Sequence, residues 1–187
     1  MASYSQHTIE SAPEASKPIL QGIQKRLGFV PNLMATMAEA PVLVESYMTM
    51  MGIFDKTDLT PTEREIILMT NNRLNGCTYC MAAHTAVAKM TGVDPGVLEA
   101  LRKGTPLADP KLEALRSFAI LINEARGWAS EDEVDALIAA GYTKQTVLEV
   151  IAGTALKVLS NYTTHIVHPP LDTAFEPMAW TAELAEE

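Results

Sequence analysis

Apolar residues recur along this chain at three- and four-residue spacing, and short clusters of turn residues interrupt them. Thr60-Pro61-Thr62-Glu63 is a capping box with proline at the first helical position, and Ile66, Ile67, Thr70 and Leu74 follow on one face. Asn75-Gly76 breaks that helix. A second helix starts at Cys77 or Thr78 and runs to Met90, with Gly92 as its left-handed cap. Asp94-Pro95 opens another, with Val97, Leu98 and Leu101 inward and Gly104 at its close. Asp109-Pro110 opens the next, which turns Leu112, Leu115, Phe118, Ala119 and Ile122 to one side. Ser130 with Glu133 makes a further capping box, and Thr143 caps a long segment through Val147, Val150, Ile151, Leu156 and Leu159. Upstream, Pro41 introduces a helix over Val42 to Phe54. No β-branched alternating run lies between turn signals in the manner of a hairpin. The pattern predicts an all-α chain, with a flexible N-terminus over residues 1–12 and a single helical domain over 13–187.

Composition narrows the class. A chain of 187 residues fits one domain and can bury roughly 70% of its unfolded surface. Its 48% hydrophobic and 20% charged residues exclude disorder. The net charge of -9 repels a phosphate backbone, so no nucleic-acid partner is expected. No window approaches 18 uninterrupted apolar residues, and Met1 to Pro13 carries neither a basic nor an apolar signal region. The expectation is a cytoplasmic protein with no membrane partner. The ten methionines, several of them between Met34 and Met51, read as filling for a core or a subunit interface rather than as a soft binding surface. Met48, Met51 and Ile53 cover more than one helix face, which points to a homo-oligomer.

The candidate chemistry lies at Cys77-Thr78-Tyr79-Cys80, the only two cysteines of the chain, with His84 four positions past the second and Glu65 upstream. In a cytoplasmic chain a lone CxxC reads as catalytic or metal-binding rather than as a permanent staple. A free thiol near pKa ~8.5 is only about 3% ionised at pH 7, so local help is needed to make the thiolate. Two sources exist: the N-terminal end of the helix that opens near Cys77, and His84, one turn below Cys80. If the two helices form a hairpin at Asn75-Gly76, Glu65 and His84 lie about 16 and 12 Å from the turn at ~1.5 Å per residue and face each other. Glu65 would then orient the imidazole, while Glu63 is already committed to its capping box. Helix-terminus logic favours Cys77 as the attacking sulfur and the His84 relation favours Cys80; the general base outweighs the dipole, because breaking an O–O bond also needs a proton. Cys80 would become a sulfenic acid and Cys77 would condense with it to a disulfide, which a partner dithiol reopens. No cofactor is required, and the reading needs one sulfur that an oxidant can reach.

Blander readings stand beside this one. Cys77, Cys80, His84 and Glu65 could form a zinc set, although no second ligand pair is evident and no metal is expected. The cysteines could be inert core residues. Asn161 to His165 repeats the Cys80-to-His84 spacing without a nucleophile, which reads His165 as a hydrogen-bonded structural residue. Arg73 is the basic residue close to the dithiol in sequence, and a surface position suits it better than a substrate clamp.

The stretch from Glu65 through the CxxC to His84 resembles the alkylhydroperoxidase D-like (AhpD-like) family within the carboxymuconolactone decarboxylase superfamily. The likeness is good from about Thr60 to Leu101 and looser at Val30-Pro31-Asn32 and at Asn161 to His165. It implies a helical AhpD-like fold, a Glu65–His84 relay that activates Cys80, and Cys77 as the disulfide partner. It also implies a trimer or hexamer, organic hydroperoxides as substrates, and a dithiol reductant such as a lipoylated protein. Tyr79 departs from the family prototype, which has a second histidine between the cysteines. A cofactor-free lactone decarboxylase and a non-enzymatic thiol redox sensor are the alternatives. Reduced protein treated with an alkyl hydroperoxide is expected to lose both free thiols, with sulfenic acid trapped first on Cys80; alkylation resolved by mass spectrometry reads this directly.

Overall fold

The computed structural model of the protein describes residues 4–181. Among them are nine helices and no strand: α1 (Lys17–Leu27), α2 (Asn32–Met37), α3 (Pro41–Phe54), α4 (Pro61–Leu74), α5 (Thr78–Met90), α6 (Pro95–Lys103), α7 (Pro110–Glu124), α8 (Glu131–Ala139) and α9 (Lys144–Val167). A 3-10 turn, Glu176–Met178, lies in the segment that follows α9 and packs on α5.

The boundaries come from local chemistry that the sequence spells out. Thr60 and Ser130 close capping boxes with Glu63 and Glu133, and Thr143 caps α9. The Asp94 and Asp109 carboxylates accept the first free N–H groups of α6 and α7. Gly104 ends α6 in the left-handed conformation. The helix over Val42 to Phe54 is α3, beginning at Pro41. The sequence reading passed over α1 and α2, which are short and follow unremarkable starts: neither N-cap makes a side-chain hydrogen bond. His7 falls in the segment expected to be flexible. In the structure its backbone N–H donates to Ala35 O at 3.1 Å, and its ring meets Glu39 at 2.8 Å. Residues 1–3 lie outside the described residues.

Helix α4 is the hub. Glu63 and every residue from Glu65 to Asn72 are buried, with α5, α6, α7 and α9 packed around it. The one-sided pattern read from Ile66, Ile67, Thr70 and Leu74 therefore understates its burial, and Leu74, in the last turn, is exposed. Helix α9 runs along α4 and also packs on α3 and α7. Its close approach depends on Gly153: a Cβ there would stand 2.7 Å from Ile67 Cγ2 and 2.9 Å from Phe54 Cζ. The opposite face of α9 leaves Leu148, Ile151, Tyr162 and Ile166 exposed, so Ile151 is not part of the core face that the spacing suggested. Gly153→Val is expected to destabilise the protein by about 1–3 kcal/mol through overpacking, measured by urea unfolding.

Candidate active site

The dithiol sits where the chain leaves the hub helix. Gly76 adopts φ 64° to turn the backbone, and Cys77 N then donates to Asn72 O at 2.9 Å. The Asn72 amide reaches forward to Cys80 O at 3.2 Å, so one residue of α4 holds both ends of the CxxC. Asn161 of α9 donates to Asn72 Oδ1 at 3.0 Å and accepts from Asn75 at 2.9 Å. Asn72 and Asn161 are fully buried, and this network supplies their hydrogen bonds.

Cys77 and Cys80 are joined in a disulfide, with their Cα atoms 5.3 Å apart. Cys77 is the N-cap of α5: its Sγ accepts the Cys80 N–H at 3.3 Å. Thr164 Oγ1 of α9 lies 3.0 Å from Cys77 Sγ and 3.8 Å from Cys80 Sγ. That hydroxyl has its own acceptors in Asn161 O at 2.6 Å and Ser160 O at 3.0 Å. With its proton turned to those carbonyls it faces the sulfurs as an acceptor, an arrangement that suits a protonated Cys77 in the reduced form.

Glu65 and His84 meet across the α4–α5 hairpin. His84 Nδ1 donates to Glu65 Oε2 at 2.9 Å, which fixes the neutral imidazole with its lone pair on Nε2. Among the described residues no hydrogen bond joins Nε2 to a sulfur. That nitrogen accepts from Lys157 Nζ of α9 at 3.0 Å, so both ring nitrogens of His84 are occupied and the expected direct bond to Cys80 is absent. The Lys157 side chain is 1% exposed, and among the described residues no carboxylate stands within 4 Å of its amine. Burial pushes its pKa down to about 7 against the pull of Glu65. His84 is also held below its ordinary value, first by burial and then by Lys157, with Glu65 opposing.

Tyr79 faces away from this chemistry. Its hydroxyl donates to Asp172 Oδ2 at 2.5 Å and accepts from Leu33 N at 3.2 Å, while Asp172 also accepts from Asn32 N. Burial and Asp172 raise its pKa, so it keeps its proton and ties α5 to the start of α2 and to the segment after α9. Glu63 serves its capping box, as the sequence indicated. No zinc set is assembled: the sulfurs are bonded to each other, His84 is engaged on both sides, and no three metal-ligating side chains converge among the described residues. His165 is exposed and stacks on Tyr162, rather than sitting buried in hydrogen bonds. Arg73 is half-buried over the Trp180 ring and donates to Arg102 O at 2.7 Å. It lines a cleft of about 680 Å³ with Thr85, Lys89 and Arg102 that neither sulfur borders.

The expectation of a reachable sulfur is not met in the disulfide form, in which Cys77 and Cys80 are 1% and 2% exposed. The cover is thin, since the neighbours Gly76 and Thr78 are exposed. Sequence reasoning missed Lys157 and Thr164. The available signal was a charge within the apolar run Ala155 to Leu159, followed at i+4 and i+7 by Asn161 and Thr164, a polar stripe on one face of a core helix.

Over nearly its whole length the chain superposes on solved structures. An alkylhydroperoxidase AhpD core, a peroxidase-related protein from Ralstonia eutropha JMP134, matches with a TM-score of 0.82 at 24% identity, covering 92% of this chain and 93% of that one. Residues 41–121, which hold Glu65, the CxxC and His84, match the model of the Carboxymuconolactone decarboxylase family. The fold is AhpD-like. A second peroxidase-related protein, from Silicibacter sp. TM1040, matches this AhpD-like fold with a TM-score of 0.78 at 20% identity, covering 92% and 93%. The debrominase Bmp8, solved with 2,3,4-tribromopyrrole, matches with a TM-score of 0.76 at 20% identity, covering 95% and 96%. At these identities the likeness establishes the fold alone. Among curated proteins no sequence match is found.

The buried amine makes stability depend on pH. Between about 7 and the ordinary lysine value of 10.5, the unfolded chain binds a proton that the folded chain refuses, so stability rises with pH across that window. The depressed His84 value adds a loss of the same sign below about 6.5. The Tm of the disulfide form is expected to rise from pH 7 to 9, and Lys157→Met to raise Tm at pH 7 and flatten the slope.

Proposed function

We propose that this AhpD-like chain is an oxidoreductase, a thiol-dependent peroxidase that reduces organic hydroperoxides through a Cys77–Cys80 dithiol/disulfide cycle with Glu65 and His84 as its proton relay. The observation that carries the reading is the disulfide at the head of α5, one helical turn from the Glu65–His84 hydrogen bond. Two sulfurs already within bonding reach can trap a sulfenic acid before it is oxidised further. In this cycle the Cys80 thiolate attacks the outer peroxide oxygen and the O–O bond breaks. The leaving alkoxide takes a proton, and Cys77 displaces water from the sulfenic acid to restore the disulfide. A dithiol reductant, such as a lipoylated protein, reopens it by exchange. The thin cover over Gly76 and Thr78 is the route by which that reductant would reach Cys77.

The polar lining supports Cys80 as the attacking sulfur. Thr164 accepts from a protonated Cys77, which leaves Cys80 to carry the negative charge. The peroxidase-related proteins of the same fold are in keeping with a peroxidase reading, without bearing on which sulfur attacks. The cytoplasm is the proposed compartment, since its reductants keep such a pair cycling. A homo-oligomer, a trimer or hexamer, would cover the apolar face of α9 at Leu148, Ile151 and Ile166.

Lys157 supplies one argument for a second reading, a cofactor-free lactone decarboxylase, because that reaction needs a cation for the substrate carboxylate beside an acid–base pair. An assay with an alkyl hydroperoxide, using dithiothreitol or a lipoylated domain as reductant, separates the two. Wild type is expected to turn over, Cys80→Ser to fall by at least 10³-fold, and Cys77→Ser to stall as sulfenic acid. A fully reduced wild type that consumes no hydroperoxide sinks the peroxidase. Lactone decarboxylation that survives in the double serine variant would establish the second reading.

A further inference from the structure

We propose that Lys157 is the proton store of the dithiol cycle, a positioning residue that acts through His84: it gains a proton when Cys80 becomes a thiolate and gives it up when the peroxide bond breaks. The proposal rests on the peroxidase reading above and adds to it a residue that the Glu–His relay does not contain.

The placement of the amine carries the argument. Lys157 Nζ has His84 Nε2 as its hydrogen-bond partner at 3.0 Å, in a site closed to water. Among the described residues an ammonium there would have three N–H donors and one acceptor, which a neutral amine avoids. Helices α5 and α9 lie against each other, so that Cys80 is level with Thr164 and His84 with Lys157, on one continuous polar stripe. A thiolate formed at Cys80 is therefore buried on the stripe that ends in this amine, and it needs a positive charge to persist.

The surrounding groups leave that task to Lys157. From α4 the amine faces Glu65, and from α5 it faces His84 and the cysteine pair. From α3 comes Tyr47, whose pKa burial raises to about 12, so it holds its proton at neutral pH. Helix α2 carries no ionisable side chain, and α7 and α8 add none that acts on the amine's charge. With a pKa near 7 in the disulfide form, the amine is poised so that a new negative charge nearby converts it to ammonium.

The steps balance. A reductant dithiol opens the disulfide, becomes a disulfide itself and surrenders two protons: one makes the Cys77 thiol, the other makes the Lys157 ammonium, and Cys80 remains a thiolate. The thiolate then attacks the hydroperoxide, giving Cys80 sulfenic acid and an alkoxide, and the proton held at Lys157 passes through His84 to yield the alcohol. Cys77 thiol and the sulfenic acid condense with loss of water. The amine ends neutral, as it began.

The test reads the amine directly and needs no peroxide, so it is separable from failure of the peroxidase reading. In protein labelled with ¹⁵N-lysine, the Nζ signal absent from Lys157→Met is titrated in the disulfide form and after reduction with dithiothreitol. The midpoint is expected to rise by at least one pH unit on reduction, a tenfold change in proton affinity. An equal midpoint in both forms overturns the proposal. In reduced Lys157→Met, alkylation of Cys80 at pH 7 is expected to slow about tenfold, with its pH profile moved upward. A folded variant alkylated at the wild-type rate also overturns it.

Discussion

Burial of α4 on all sides is the constraint from which the site follows. A helix surrounded by four others has no solvent with which to satisfy a polar side chain, yet α4 carries Glu65, Asn71 and Asn72 into the interior. Each must find a partner on a neighbouring helix, and each partner fixes that neighbour. Asn72 takes the backbone at both ends of the CxxC and the side chain of Asn161. Asn71 accepts from Asn123 of α7 and donates to Thr154 of α9. Glu65 takes His84 of α5, and His84 takes Lys157 of α9. The reactive groups are thus held by the same bonds that satisfy the core. Losing one partner would strand a buried polar group and disturb the geometry around the sulfurs together.

Much of the architecture was legible in the sequence, because helix ends are written in local chemistry. Thr60 with Glu63, Ser130 with Glu133, Asp94-Pro95 and Asp109-Pro110 mark starts that need no tertiary information. The Glu65–His84 meeting was legible for a related reason: a break at Asn75-Gly76 fixes a hairpin, and rise per residue then gives the register. What could not be read was the contribution of α9. Lys157 and Thr164 are more than 70 residues from the cysteines in sequence, and only packing brings them to the site. The role of Tyr79 was not legible either. That residue stands where the family prototype has a second histidine, but side chains along a helix diverge, and its hydroxyl is spent on Asp172 and Leu33.

The triad formed by Glu65, His84 and Lys157 differs from a simple acid–base pair in where its charge can reside. A carboxylate, an imidazole and an amine in line can carry a proton at either end of the ring while the ring stays neutral, so the charge moves without a large rearrangement of the packing around it. That property suits a site enclosed by close-packed helices. Gly153 shows how little spare room α9 leaves against α4 and α3.

Cys77 does two jobs with one atom. The sulfur that closes the covalent ring is also the acceptor that starts α5, through the N–H of Cys80. Under the proposed cycle, a change in bonding at that sulfur would also be a change at the start of α5. The acceptor there would be a disulfide sulfur in one state and a thiol sulfur in the other, so the first winding of the helix that carries His84 would feel each turn.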